Sequence, residues 1–267
     1  MVIFKYELKN HRKYILSWAF ALAICIFMMT PVYYSLFGGA ESTSNPLYDT
    51  LGKTDFFQST GVSMEYLTSS LGIYSFLTSF FMVASGIFGL HFGISIHTKE
   101  FSEKTSEYLF TKPHARKEIF WAKAFAVFCG SLVVGVFYLL VSFFTMLLFH
   151  AGFDFREFFL ISFSLVLLTL FFGAFGLLIG ILFSNNRSPL LTAGLIIFAE
   201  YCTTSFSRIV GNKAISFLSP YSFFGAADIA YSGFYDGMYM VWYIILLAVF
   251  LVAAYYIFIS KDIKFRS

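Results

Sequence analysis

Charged side chains are scarce in this sequence. Asp, Glu, Lys and Arg make up 12% of its 267 residues, about half of the quarter that is usual in a soluble domain. Cysteine is rare and odd in number, and Cys25, Cys129 and Cys202 all fall in apolar runs. A disulfide framework is therefore not expected, and the three thiols are predicted to pack like small apolar side chains.

Motifs for nucleotide and metal chemistry are also missing. No GxxxxGK[ST] phosphate-binding loop occurs in the chain, so a nucleotide site of that kind is excluded. The H-E-x-x-H pattern of zinc metalloproteases is absent, and His91 and His97 are predicted to be histidines at a helix end rather than metal ligands. No catalytic set of acids, or of Ser, His and Asp, converges in the apolar runs. The chain is not expected to be an enzyme.

Apolar residues are abundant instead. They form 58% of the chain, and aromatic residues alone form 22%, more than a soluble globule of this size can bury. Six continuous apolar runs are long enough to cross a bilayer as helices. The sequence therefore predicts an all-α integral membrane protein with six spans at residues 14–37, 71–96, 120–149, 158–183, 189–210 and 241–259.

The positions of Lys and Arg orient these spans. Fourteen of the 18 basic residues fall on one side of the predicted membrane, in the N-terminal arm, the loop after the second span, the link after the fourth and the C-terminal tail. Positive residues favour the cytoplasmic side. Both termini and the loop at residues 97–119 are therefore predicted to be cytoplasmic.

The N-terminal arm, residues 1–13, is predicted to be a separate amphipathic helix ahead of a permease domain at residues 14–267. Phe4, Leu8, His11 and Ile15 recur on one face, and basic residues occupy the rest. Such a helix is expected to lie in the headgroup layer of the membrane. A frayed, positively charged flank of the first span is the alternative.

Two long segments are predicted on the outer side. Residues 38–70 are mildly acidic, whereas residues 211–240 are apolar and aromatic, as in Leu218-Ser-Pro-Tyr-Ser-Phe-Phe224. A segment this apolar is predicted to re-enter the membrane as broken helices, which is possible only where protein buries the freed backbone groups. The roles of both segments stay open.

The loop after the second span has the strongest functional signal. As a helix it has an apolar face with Phe101, Tyr108 and Leu109, and Pro113 ends it. The apolar face predicts a docking surface for a partner, and a solvated turn is the alternative. The predicted docking residues are Glu100, Phe101, Glu103, Lys104, Glu107, Tyr108 and Leu109.

This loop resembles that of type-2 ATP-binding-cassette (ABC) exporter permeases. The pattern is Lys99-Glu-x-x-Glu-Lys-Thr-x-Glu-Tyr-Leu-x-Thr-Lys-Pro113, followed by Arg116-Lys-Glu-Ile119, with Phe110-Thr111 as a modest departure. Six spans, the amphipathic arm and the Leu218–Phe224 segment extend the resemblance over essentially the whole chain.

The resemblance implies a permease subunit whose loop is a coupling helix seated in a separate ATPase. Two ATPase subunits and a second permease, either a copy or a paralogue, would complete the transporter. ATP and Mg²⁺ would bind to the partner, so no cofactor is expected in this chain, and nucleic acid is not an expected partner. The implied activity is export of a hydrophobic or amphipathic substrate such as a drug, peptide or lipid-like molecule. The implied location is a cell membrane, namely the cytoplasmic membrane of a bacterium.

Glu200 is the one acidic residue inside a predicted span. It lies 11 positions after Pro189, near the middle of the membrane. A carboxylate there costs at least about 2.5 kcal/mol, so it is expected to face the bundle interior. It either lines a translocation path or fixes helix packing by a buried hydrogen bond. An autonomous proton-coupled transporter that uses Glu200 is the alternative function.

Glycines repeat with the same spacing in the second and fourth spans. Small residues four apart let helix backbones approach closely in a membrane. Close packing of the two spans is therefore predicted, with a sliding seam during transport as the alternative. The residues concerned are Gly86, Gly89, Gly93, Gly173, Gly176 and Gly180.

Overall fold

The fold of the chain is given by a computed structural model that describes residues 2–37, 69–102, 115–149 and 152–260. Nine helices and no strand occur in these residues. Their bounds are Val2–Phe37 (α1), Ser70–Ser102 (α2), Arg116–Phe149 (α3), Phe155–Leu182 (α4), Pro189–Val210 (α5), Lys213–Ser216 (α6), Pro220–Phe223 (α7), Ala226–Ser232 (α8) and Gly237–Ser260 (α9).

The six long helices correspond to the six predicted spans. Each of them is long and apolar enough to cross a membrane, so the predicted all-α, six-span fold is confirmed. The third to sixth spans differ from the predicted ones by four residues or fewer at each end. The first two extend further at one end, α1 back to Val2 and α2 on to Ser102.

The core of the bundle is the pair α2 and α4, which form the largest interhelical contact. In each, 72% of the most apolar stretch is buried, against 22% in α5 and 11% in α9. A helix that is apolar on all sides belongs inside a bundle, and α4 shows this pattern. The helix α1 packs on α3 and α2, α3 and α9 pack on α4, and α5 packs on α2.

The N-terminal arm differs from the sequence prediction. It forms no separate helix, because α1 is helical without interruption from Val2 to Phe37. The predicted face exists, since Phe4, Leu8 and Ile15 all pack in the hydrophobic core. It contacts other helices of this chain, and the arm is continuous with the first span.

Three helices extend well beyond the predicted membrane at one end of the bundle. With 36, 33 and 34 residues, α1, α2 and α3 are each about 50 Å long or more, against a hydrocarbon thickness of about 30 Å. Their added residues precede the first span, follow the second and precede the third. We call this end, where residues 103–114 join α2 to α3, the loop end of the bundle.

The segment after α5 folds back into the bundle as the predicted broken helices α6, α7 and α8. The helix α5 stops because Gly211 adopts a left-handed conformation with φ of +69°, which glycine tolerates best. The Asn212 side chain then caps α6, and Pro220 begins α7. The Tyr221 hydroxyl reaches Gly86, in the middle of α2, so the segment returns to mid-depth of the helix bundle, as a re-entrant segment would.

Candidate functional site

The predicted docking residues lie at the loop end. Glu100 and Phe101 belong to the last turn of α2, whereas the other five lie outside the described residues: Glu103, Lys104, Glu107, Tyr108 and Leu109. The described parts of this region are therefore the two roots of the loop, the end of α2 and the start of α3.

A buried carboxylate connects both roots to α1. The Glu7 side chain is 2% exposed and receives hydrogen bonds from Lys99 of α2 and Lys123 of α3. The Lys123 ammonium is fully buried, 3.1 Å from Glu7 Oε1, and it also donates to the backbone carbonyl of Ile96 at 2.6 Å. Three helices thus meet at one carboxylate just below the loop. We call Glu7, Lys99 and Lys123 the root triad.

The electrostatics of the root triad are those of a buried ion cluster. Removing one partner from such a cluster leaves an uncompensated charge and costs about 3–5 kcal/mol. The ammonium of Lys99 also lies 5.8 Å from the centre of the Tyr6 ring, again joining α2 to α1. The relative positions of α1, α2 and α3 at the loop end are therefore strongly constrained.

Histidines extend the same contact between α1 and α2. His11 Nδ1 lies 3.0 Å from the Glu7 backbone carbonyl, and its ring packs on Phe92 with centroids 5.1 Å apart. His91 Nδ1 lies 2.7 Å from the Tyr14 hydroxyl. His97 is buried and instead contacts α9, with its ring 5.4 Å from that of Phe258. No cluster of three or more His, Cys, Asp or Glu side chains suited to a metal occurs in the described residues.

Sequence reasoning did not identify Glu7. It counted Lys99 and Lys123 only as positive charges that orient the membrane spans. A signal was present, since Glu7 is the only acidic residue among the first 40 and stands in an arm with four basic residues. It also lies one turn before His11, beside the predicted apolar face of the arm.

Glu200 lies in the middle of α5, where the re-entrant segment meets it. Its backbone carbonyl accepts a hydrogen bond from Ser219 Oγ at 2.9 Å, and Thr204 Oγ1 donates to Ser219 Oγ at 2.7 Å. The carboxylate atom Oε2 is buried without a hydrogen-bond partner among the described residues, and so is the Tyr221 hydroxyl. The backbone carbonyl of Glu200 thus holds the re-entrant segment, while its carboxylate oxygen Oε2 accepts no hydrogen bond from the described residues.

Arg208 does not approach Glu200. Its Nη2 atom pairs instead with Asp228 Oδ2 of α8 at 3.0 Å. The helix α5 has no break between Glu200 and Arg208, so the eight-residue separation keeps the two side chains about two turns apart. Arg208 therefore joins α5 to α8, the last helix of the re-entrant segment.

The repeated glycines divide into two groups. A side chain on Gly89 would meet the backbone of Thr169 at 2.5 Å, and one on Gly180 would meet that of Ile94 at 2.8 Å. Gly93 and Gly176 face the opposite helix backbone in the same way. Four of the six thus lie at the α2–α4 contact.

The other two glycines face different neighbours. A side chain on Gly86 would collide with the Tyr221 hydroxyl, and one on Gly173 would lie 2.9 Å from Val127 of α3. These two positions make room for the re-entrant segment and for α3, so the same spacing serves three different contacts.

The fold defines a class of protein. Six helices are long and apolar enough to cross a membrane, and four of them pack around the α2–α4 pair, so the chain is a multi-pass membrane protein. The root triad is a junction between three of these helices. The family described as "ABC-2 family transporter protein" matches residues 1–263. The chain belongs to this family, and it is therefore the membrane permease component of an ABC transporter. A comparison with curated proteins gave no match.

Proposed function

We propose that this permease exports a hydrophobic or amphipathic substrate, driven by a separate ATPase subunit that docks on the loop between α2 and α3. The loop is cytoplasmic in this proposal, and two ATPases and two permeases form the transporter. The membership of the chain in the ABC-2 family supports an ATP-driven mechanism. The root triad is the structural observation that carries the coupling step.

The root triad would let the loop end transmit a displacement to three helices at once. A force on residues 103–114 reaches both ends of the loop, Ser102 and Ala115. Lys99 and Lys123 hold these ends to Glu7 of α1, so α1, α2 and α3 would move together rather than separately. Transmission of small shifts through rigid, packed helices is a common form of coupling.

Docking itself would use the predicted loop residues. Phe101, Tyr108 and Leu109 are the proposed apolar anchors, with Glu100, Glu103, Lys104 and Glu107 as a polar rim, an arrangement typical of protein interfaces. ATP and Mg²⁺ belong to the ATPase in this proposal. Glu200, with its unpartnered oxygen, is the proposed polar group of the translocation path.

A double substitution tests docking. Tyr108→Ala with Leu109→Ala should abolish both co-purification with the ATPase subunit and ATP-driven transport in reconstituted vesicles. The chain offers a matched control, because Glu65-Tyr66-Leu67 repeats the Glu107-Tyr108-Leu109 tripeptide in the segment predicted to be outside. Tyr66→Ala with Leu67→Ala should retain co-purification. Wild-type behaviour of the loop variant in both assays would refute the docking role.

The same vesicles separate the proposal from a proton-coupled transporter. The ATP-driven mechanism predicts transport that requires ATP and the ATPase subunit. Transport driven by a pH gradient without ATP, and lost in Glu200→Gln, would favour the alternative.

A further inference from the structure

An apolar groove runs along the surface between α3, α4 and α9. It encloses about 190 Å³, comparable to the roughly 150 Å³ of an apolar cavity that holds benzene. The aromatic side chains at its edge are about half exposed, and the side chains at its floor are buried. Its lining includes Trp121, Phe125 and Phe128 of α3, Ala174 of α4, and Leu247 and Leu251 of α9.

The wall of the groove is almost entirely apolar, and its polar atoms are few. Tyr243 is one of its lining residues, but its hydroxyl already donates to the backbone carbonyl of Leu167 at 3.0 Å. The remaining wall is almost entirely apolar carbon. A hydrocarbon chain suits such a surface, because it loses no hydrogen bonds on entering.

Basic side chains stand at the loop end of this groove. Lys117 is exposed and lies one turn before Trp121 on the same face of α3. Arg116 donates from Nη1 to the backbone carbonyl of Ile259 at 3.2 Å, which ties the start of α3 to the last turn of α9. Among the described residues of this end, Glu118 is the acidic neighbour, and it lies on an adjacent face of α3. Together, Arg116, Lys117 and Glu118 carry a net positive charge.

We propose that the groove binds one anionic phospholipid. Its acyl chain lies between α3 and α9, and its phosphate lies beside Lys117. Basic pockets between membrane helices bind anionic headgroups in this way, and Trp121 stands at the level where aromatic rings favour the headgroup boundary. The charge at one end and the apolar wall below it match the two parts of this lipid.

Positive charge at one end of the groove favours an anionic lipid over other occupants. A helix of a second permease copy would pack its side chains against α3 and α9 and would keep both lipids away from Trp121, so the quenching experiment distinguishes it. A neutral hydrophobic molecule would fill the apolar part but would gain nothing from Lys117. The inference does not depend on the transport proposal, because it concerns binding to the permease alone.

Tryptophan fluorescence can test this site in the full chain. The chain has three Trp residues, so Trp18→Phe with Trp242→Phe leaves Trp121 as the only reporter. The variant is placed in phosphatidylcholine vesicles that contain increasing fractions of dibrominated phosphatidylglycerol or dibrominated phosphatidylcholine, whose bromines quench a tryptophan in contact. Phosphatidylglycerol should bind about fivefold more strongly at Trp121, the preference that one lysine gives near an anionic headgroup.

Three matched variants define the outcome. In the Trp121 reporter, Lys117→Gln should remove the preference, whereas Glu118→Gln should keep or increase it. A second reporter with Trp242 alone, at the opposite end of α9, should show no preference. Ala174→Leu, which fills the floor of the groove, should reduce quenching at Trp121 by both lipids.

Other results would overturn the proposal. Equal quenching by the two lipids, or a preference that survives Lys117→Gln, would show that the groove does not select an anionic headgroup through this lysine. No quenching by either lipid would show that protein covers the groove.

Discussion

Single residues decide how the loop end is held together. Glu7 is the only carboxylate in the described root that contacts both Lys99 and Lys123. Its side chain is almost fully buried, so water cannot replace it when it is removed. The cost of losing it should therefore be that of breaking a buried ion cluster, not a surface ion pair.

Substitution of Glu7 tests the root triad. Glu7→Gln should lower the free energy of unfolding by about 3–5 kcal/mol, because the buried Lys123 and the partly buried Lys99 lose their shared counter-charge. Thermal unfolding of the purified protein in detergent measures this change. Lys9→Gln removes an exposed charge two positions away and should change stability by less than about 0.5 kcal/mol.

A second substitution checks that the effect comes from charge. Lys123→Met in the Glu7→Gln background should recover part of the lost stability, because it removes a buried ammonium and keeps the apolar stem. Equal unfolding temperatures for Glu7→Gln and Lys9→Gln would contradict the account of the triad.

Glu200 separates into a backbone role and a side-chain role. Ser219 donates to its backbone carbonyl, so Glu200→Gln should keep the re-entrant segment in place while transport falls several-fold. Thr204→Val instead removes the hydrogen bond to Ser219 and should lower the unfolding temperature. Transport assays and thermal unfolding of the same two variants distinguish the roles. If Glu200→Gln and Glu200→Ala both transport normally, Glu200 does not serve the path.

At the scale of elements, the helices of the core are positioned by backbone approach. The contact between α2 and α4 brings Gly176 against the backbone of Leu90. A rigid carbonyl cannot move aside as a flexible side chain can, so the two helices must separate if either position gains a side chain. Overpacking of this kind costs about 1–3 kcal/mol.

A pair of equivalent substitutions tests this contact. Gly176→Ala should destabilise the protein by about 1–3 kcal/mol. Gly194→Ala, in the first half of α5 with open space around it, should instead stabilise the protein by up to about 1 kcal/mol through helix propensity. Both are read from thermal unfolding in detergent. Destabilisation of similar size in the two variants would argue against a close α2–α4 contact.

The elements were largely predictable, and the reason is physical. Each span is a continuous apolar run, and the need to satisfy backbone hydrogen bonds in lipid permits a helix there. The re-entrant segment was predictable from the same rule, because the apolar stretch from Leu218 to Phe224 is too short and too broken to span. Gly211 and Pro220 then mark where its helices end and begin.

The site was less predictable, because it depends on where separate helices meet. Nothing local in α1 shows that Glu7 faces lysines 92 and 116 positions away. The amphipathic face of the arm was found correctly, but periodicity does not tell whether lipid or protein covers it. Gly86 shares its spacing with Gly89 and Gly93, yet only the fold shows that Tyr221 is its neighbour.

At the scale of the whole molecule, the bundle has a closely packed centre and peripheral helices that are largely exposed. The pair α2 and α4 is mostly buried, whereas α5 and α9 present large apolar surfaces. The two roots of the loop belong to α2 and α3, so a displacement there enters the centre of the bundle directly. This arrangement suits a permease that is moved from one end by a partner.

The contact between the loop and the ATPase is the central claim, and site-specific cross-linking measures it most directly. A photoreactive phenylalanine analogue is placed at Tyr108, and separately at Tyr66 as the matched control, and the intact complex is illuminated in membranes. We predict a covalent adduct with the ATPase subunit from position 108 and none from position 66. An adduct from position 66 alone, or from neither position in an assembled and active complex, would contradict the account.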